Sequence, residues 1–241
     1  MTYERFISQI AFRVIQPHLP LPRGSHTVIR WLRRARICLD VLNTVLPEDD
    51  AALKRALRSL CRMPRLSTFA VAAMINRAVA ETAVDEAFVN VGVWHGFTLL
   101  AGMVNNPGKL VIGIDNFSEL GGPRQAFLRR FEAYRSPRHR FVECDYQDYF
   151  RRQHDARIGV YIYDGHHAYR HQLEGLQLAE PFFGDRCLVF VDDTNWDEPR
   201  RATREFLRRS PHRYEMLLDV RTGCNKHPTF WNGLLVLRRS P

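Results

Sequence analysis

At 241 residues, 45% hydrophobic and 25% charged, the chain has the size and composition of a globular protein with a substantial core. No apolar run approaches the roughly 20 residues needed to cross a bilayer, no secretory leader is visible, and five cysteines without a CxxC spacing argue against a disulfide framework or a structural zinc site. A soluble, cytoplasmic protein is therefore expected, and its net charge of +9 sits mostly at one end: residues 1–66 hold 12 Lys/Arg against 5 Asp/Glu.

Taken in chain order, residues 1–65 read as a basic helical region. Pro17, Pro20 and Pro22 separate a short amphipathic stretch from a longer helical pattern. Ser25 is expected to cap that pattern, with Val28, Leu32, Ala35, Leu39, Leu42 and Leu46 on one stripe and Pro47 as its end. Asp49 or Asp50 is expected to cap a further helix bearing Leu53, Leu57 and Leu60. Such a segment suits a solvated face, an anionic membrane surface or an acidic partner. Nucleic acid is not expected, because no RNA-binding or zinc-finger signature accompanies the charge.

Residues 66–241 read differently. Apolar, β-branched runs at Ala87–Val93, Lys109–Asp115, Arg140–Cys144, Ile158–Tyr163 and Cys187–Asp192 alternate with helical patterns such as Pro123–Tyr134. That alternation predicts an α/β fold: a doubly wound, Rossmann-like, mostly parallel sheet covered on both faces. The last two strand candidates, Tyr214–Val220 and Trp231–Leu237, are joined by Arg221–Thr229, which leaves no room for a crossover helix. They are expected to form an antiparallel C-terminal hairpin.

In such a sheet, ligands sit beyond the carboxyl ends of the central strands. The first strand–helix turn runs Asn90-Val91-Gly92-Val93-Trp94-His95-Gly96-Phe97-Thr98. Gly92 and Gly96 let the backbone approach a ligand, and the helix after Gly96 offers free N–H groups. Trp94 occupies the place of the second glycine of the dinucleotide fingerprint, which argues against a nicotinamide cofactor and suits a smaller carboxylate. Asp115 ends the second strand candidate 23 residues after Gly92, near the spacing of an acid that accepts ribose hydroxyls. Asp145 follows the third strand beside Tyr146 and suits either an adenine amino group or a helix cap.

The fourth and fifth strands end in Asp164-Gly165-His166-His167 and Asp192-Asp193. Adjacent strands lie about 4.8 Å apart, so Asp164 and Asp192 are placed to converge. Crowded carboxylates need a shared proton or a cation, and an all-oxygen set suits magnesium, calcium or manganese; the bland alternative is a set of loop acids and helix caps. His166 and His167 are both candidate general bases, with alternation allowing only one to face the site, and Asp193 is the other candidate.

Within a matching stretch of roughly residues 66 to 237, NVGVWHGFTL, VIGIDNFSE, ECDYQDYF, IYDGHHAY and FVDDTNW together resemble class I methyltransferases of the branch that includes macrocin-type and other antibiotic-sugar O-methyltransferases. The resemblance implies S-adenosylmethionine held by Gly92, Gly96, Thr98 and Asp115, with Asn116, Asp145, Tyr146 and Asp164 completing the expected contacts. Asn90 stands where the family often has an acid, and would meet the methionine amino group as a neutral acceptor. The resemblance also implies a divalent cation on Asp164, Asp192 and Asp193, and a lid or homo-oligomer contact for the helices before the sheet. The expected reaction is methylation of a hydroxyl on a sugar or small metabolite. The alternatives are a metal-independent N-methyltransferase and a non-catalytic binding module of the same fold.

Overall fold

The computed structural model describes residues 1–47 and 51–240, so the cap expected at Asp49 or Asp50 lies outside the described residues. The chain opens with α1 (Tyr3–Ser8), β1 (Ala11–Phe12), α2 (Ser25–Arg34), α3 (Leu39–Asn43), β2 (Thr44–Val45) and α4 (Ala51–Leu60). Then α5 (Phe69–Glu81) leads into β3 (Glu86–Val91), α6 (Phe97–Met103), β4 (Leu110–Ile114), α7 (Arg124–Tyr134), β5 (His139–Val142) and α8 (Tyr146–Arg152). The remainder is β6 (Arg157–Tyr163), α9 (Tyr169–Ala179), β7 (Phe183–Asp192), α10 (Asp197–Arg209), β8 (Tyr214–Val220) and β9 (Leu234–Arg239).

The main sheet has seven strands in the order β5-β4-β3-β6-β7-β9-β8, and it is parallel as far as β7. Every residue of β4 is buried, and all of β3 except Glu86, because helices cover both faces. One face packs Met74, Leu99 and Phe127 from α5, α6 and α7. The other packs Tyr149, Leu176 and Phe206 from α8, α9 and α10. The C-terminal hairpin is antiparallel as expected, with β9 inserted between β7 and β8. From β3 the chain steps outward to β4 and β5, then returns to β6 on the other side of β3. That reversal opens a crevice at the carboxyl ends of β3 and β6, the usual ligand position in a sheet of this kind.

Two sequence expectations need correction. The long helix from Ser25 is instead two helices and a strand. The backbone turns left-handed at Arg36 (φ 61°), so the stripe loses its phase beyond α2. Val28 and Leu42 are more than half exposed, while Cys38 and Val41 are buried instead. Ser25 is the first helical residue rather than the cap; the carbonyl of Gly24 accepts from the amides of Thr27 and Val28. The last strand begins at Leu234, not Trp231, because Trp231 (φ 54°) and Gly233 (φ 89°) form a turn closed by the Trp231–His227 bridge.

The amino-terminal region shares the core of the sheet. Tyr3, Phe6 and Ile7 of α1 are buried in one cluster with α5 and α6. Asp40 of α3 receives both terminal nitrogens of Arg65 at 2.9 Å and the amide of Phe69 at 2.8 Å, with all atoms of the ion pair buried. Removing one partner of such a buried pair costs roughly 3–5 kcal/mol, since the other charge stays desolvated. The expected boundary at residue 65 therefore falls on a strong contact, and one apolar core spans it. Among the described residues, no helix is long and apolar enough to cross a membrane.

Candidate active site

Strand β3 ends at Val91, and the loop after it folds around Asp115. One carboxylate oxygen of Asp115 accepts the amides of Val93 and Trp94, each at 2.8 Å; the other accepts the amide of Phe117 at 2.7 Å. The acid expected to meet a ribose is thus also the clamp of the first loop. The oxygen that accepts only Phe117 keeps a second lone pair for a hydroxyl. Gly92 lies at φ 77°, and a Cβ there would sit 2.0 Å from the Asp164 carbonyl oxygen. Only glycine lets the ends of β3 and β6 pass this close. Gly96 (φ 96°) precedes α6, and a Cβ on it would press on the Phe127 ring.

Asn90 is fully buried behind the loop. Its side-chain nitrogen donates to the carbonyls of Val91 and Gly92, and its oxygen accepts the Thr98 hydroxyl at 2.8 Å. Asn90 therefore braces the loop from beneath. A cavity of about 620 Å³ lies on the other side, and of the sequence-predicted site residues only Asn90 and Gly96 do not line it. At one end Asn116 donates to Asp145 at 2.5 Å, so Asp145 caps α8 by position while its side chain turns to Asn116. Tyr146 packs edge-on against Tyr163, and burial raises its phenol to about 12. It is a neutral donor at physiological pH.

The other end of the cavity gathers the acids. Asp193 adopts a left-handed backbone (φ 55°), a strained conformation of the kind that clusters at functional sites. Its Oδ2 lies 3.0 Å from His167 Nε2, and its Oδ1 accepts the Asn232 amide at 2.6 Å. Asp192 Oδ1 accepts the Asp193 backbone amide at 2.9 Å. Asp164 Oδ1 lies 3.7 Å from the same His167 nitrogen. Burial, then the charges of Asp192, Asp193 and Asp115, pushes the Asp164 carboxyl well above its ordinary range. Burial and Asp193 do the same to Asp192, while burial raises Asp193 against the opposing pull of His167 and Asn232. Burial lowers His167 despite Asp193 beside it, which keeps the imidazole neutral at pH 7. The Nδ1 of His167 is buried without a hydrogen-bond partner among the described residues. His166 is exposed at the rim, its Nδ1 accepting the Ala168 amide at 3.0 Å. Of the two histidines, His167 is the one that joins the acids.

Residues 89–194 match the family model described as a methyltransferase domain. This stretch carries the first loop, Asp115 and every acid of the cluster. Over those residues the chain is similar to a methyltransferase domain. Solved structures share its fold. A candidate O-methyltransferase from Klebsiella pneumoniae superposes with a TM-score of 0.55 at 14% identity, over 89% of this chain and 97% of that one. A candidate caffeoyl-CoA O-methyltransferase from Staphylococcus aureus gives 0.56 at 10% identity, over 91% and 100%. A TDP-rhamnose 3'-O-methyltransferase of calicheamicin biosynthesis gives 0.51 at 18% identity, over 83% and 94%. No curated protein matches the chain by sequence.

The methyltransferase cavity also has walls that sequence reasoning missed. Leu66 and Ser67, just before α5, line it, as do Lys226, Trp231 and Asn232 from the connection between β8 and β9. Asn232 matters most, because it holds Asp193 from above while its own oxygen accepts the Lys226 amide at 2.7 Å. The available signal was length. Thirteen residues, 221–233, separate β8 from β9, many more than a tight hairpin needs, and they include Lys226, Trp231 and Asn232. Among the described residues, no group of three or more His, Cys, Asp or Glu side chains is drawn together as a metal centre. The three carboxylates share a wall, but Asp193 is engaged by His167 and Asn232.

Proposed function

We infer that this methyltransferase transfers a methyl group to a hydroxyl of a sugar or other small metabolite. The observation that carries the reading is the His167–Asp193 pair at 3.0 Å, set across one cavity from the Asp115-clamped loop. An alcohol is a poor nucleophile until its proton is removed, so a neutral, half-buried histidine beside an acid is the group this transfer needs. An unprotonated nitrogen acceptor already offers its lone pair and has less need of such a dyad.

S-adenosylmethionine, when bound, supplies a methyl carbon made electrophilic by its sulfonium. Asp115 would accept a ribose hydroxyl through the remaining lone pair of Oδ1, and Asp145 with Tyr146 would face the base. Asn90 and Thr98 act indirectly, by fixing the loop. At the other end, His167 would take the proton of an acceptor hydroxyl held against it, leaving that oxygen free to receive the methyl group the cofactor supplies. Asp193 would hold the ring and stabilise the resulting imidazolium, as Asn232 holds Asp193. Trp196, 40% exposed and edge-on to His167 at 5.5 Å, offers a flat apolar wall of the kind a sugar ring packs on. Alignment of the two reacting groups would contribute much of the acceleration.

A divalent cation is the finer part of the reading. Asp164, Asp192 and Asp193 are all oxygen donors with raised carboxyls, a set that hard cations relieve. Bound there, such an ion would supply Lewis acidity toward acceptor hydroxyls. The competing metal-free reading rests on the engagement of both Asp193 oxygens, which leaves proton removal to the dyad alone. The test is transfer of labelled methyl to a panel of nucleotide-linked sugars and small alcohols and amines, with magnesium or with EDTA. Methyl ethers formed with magnesium and lost in EDTA are expected. Label carried only to amines would overturn the hydroxyl reading, and ether formation undiminished in EDTA would select the metal-free one.

A further inference from the structure

Helix α2 is pinned at both ends, half-buried along one side at Ser25, Ile29 and Leu32, and bare along the other. Before it, the carbonyl of Pro17 accepts the Gly223 amide at 2.8 Å, and the carbonyl of Leu19 lies 3.2 Å from His227 Nε2. After it, α3 is held by the buried Asp40–Arg65 pair. Yet none of the described side chains of α2 is buried. Val28 is 57% exposed and Trp31 65%, and the exposure continues at Ile37 and Leu42 beyond the helix. Helical geometry places Val28, Trp31 and Leu32 on one face and Arg30 and Arg34 on the opposite one. A tryptophan left so bare on an anchored helix marks a surface that something covers.

The charge says what. From Arg23 to Leu39 the chain has no acidic residue, and Arg23, Arg30, Arg34 and Arg36 are exposed there. A second copy of this helix would bring arginine against arginine. A short helix with tryptophan and branched aliphatics on one side, arginines on the other and low overall hydrophobicity has the composition of an interfacial helix. We propose that α2 docks the protein on an anionic lipid surface, with Val28 and Trp31 in the headgroup boundary. The positive field of the arginines draws the helix to that surface.

Sedimentation of the full chain with vesicles tests this. The protein is expected to bind vesicles of phosphatidylcholine with phosphatidylglycerol and not those of phosphatidylcholine alone, with binding that weakens as salt rises. Val28→Ser with Trp31→Ser, and separately Arg30→Glu with Arg34→Glu, should each weaken binding by about tenfold or more. Both pairs should leave S-adenosylhomocysteine binding unchanged, which shows that the variants fold. No binding to anionic vesicles, or equal binding by the variants, overturns the proposal. So does a wild-type dimer that the serine pair dissociates while vesicles are ignored, an outcome that assigns the face to a second copy.

Discussion

Replacing His167 by Ala is expected to lower kcat by about 10²–10⁴-fold while leaving S-adenosylhomocysteine affinity within about twofold. The imidazole stands 3.0 Å from Asp193 at the acid end of the cavity, apart from the loop that Asp115 organises. Its loss should therefore be felt in the chemical step rather than in cofactor binding. His166→Ala is the contrast, because that ring is exposed and accepts only a local amide; its effect should stay below about tenfold. The pH profile adds a second readout. Burial lowers the His167 pKa from its ordinary value of about 6.5, so the neutral base persists as pH falls past that value. Activity limited by His167 should then decline only on the acid side of it. A kcat for His167→Ala within tenfold of wild type would remove His167 from the role of base.

Gly92→Ala is expected to damage stability and cofactor binding together. The added methyl would lie 2.0 Å from the Asp164 carbonyl oxygen, a backbone atom that cannot swing aside, and the residue must also hold φ 77°. Left-handed strain costs roughly 1–2 kcal/mol and forced separation of packed backbone roughly 1–3 more. At this chain length each kcal/mol lowers Tm by about 2–4 °C, so a fall of about 4–20 °C is expected in a thermal melt. Gly24→Ala separates the two terms. Gly24 has a similar φ of 85° with nothing within 4 Å of the new methyl, so it should show the strain alone. Equal losses at the two sites would mean that the approach of β3 to β6 is not the constraint described here.

Much of this was legible because burial on both faces leaves a plain trace. The parallel strands are continuous apolar runs, and their ends carry Gly92, Asp115, Asp145, Asp164 and Asp192 at positions the fold itself dictates. The choice between His166 and His167 was not legible, since both follow the same strand and only the tertiary position of Asp193 separates them. Asn90 was read as a ligand contact because it sits in the first loop, whereas its hydrogen bonds with Thr98, Val91 and Gly92 turn it beneath that loop. Asn232 was hidden in a connection whose partners lie 39 residues earlier in the chain. The helix from Ser25 failed for a related reason. The chain is helical as far as Arg34, then turns left-handed at Arg36, and Asp40 beyond that turn meets Arg65, a partner 25 residues further along the chain.

Calorimetry of the purified protein with S-adenosylhomocysteine, and with NAD as the competing nucleotide, tests the central claim most directly. The account predicts S-adenosylhomocysteine binding at about micromolar Kd or tighter, no heat with NAD, and weakening of about a hundredfold in Asp115→Ala, equivalent to about 2.7 kcal/mol. Absence of S-adenosylhomocysteine binding, or binding indifferent to Asp115, would contradict it.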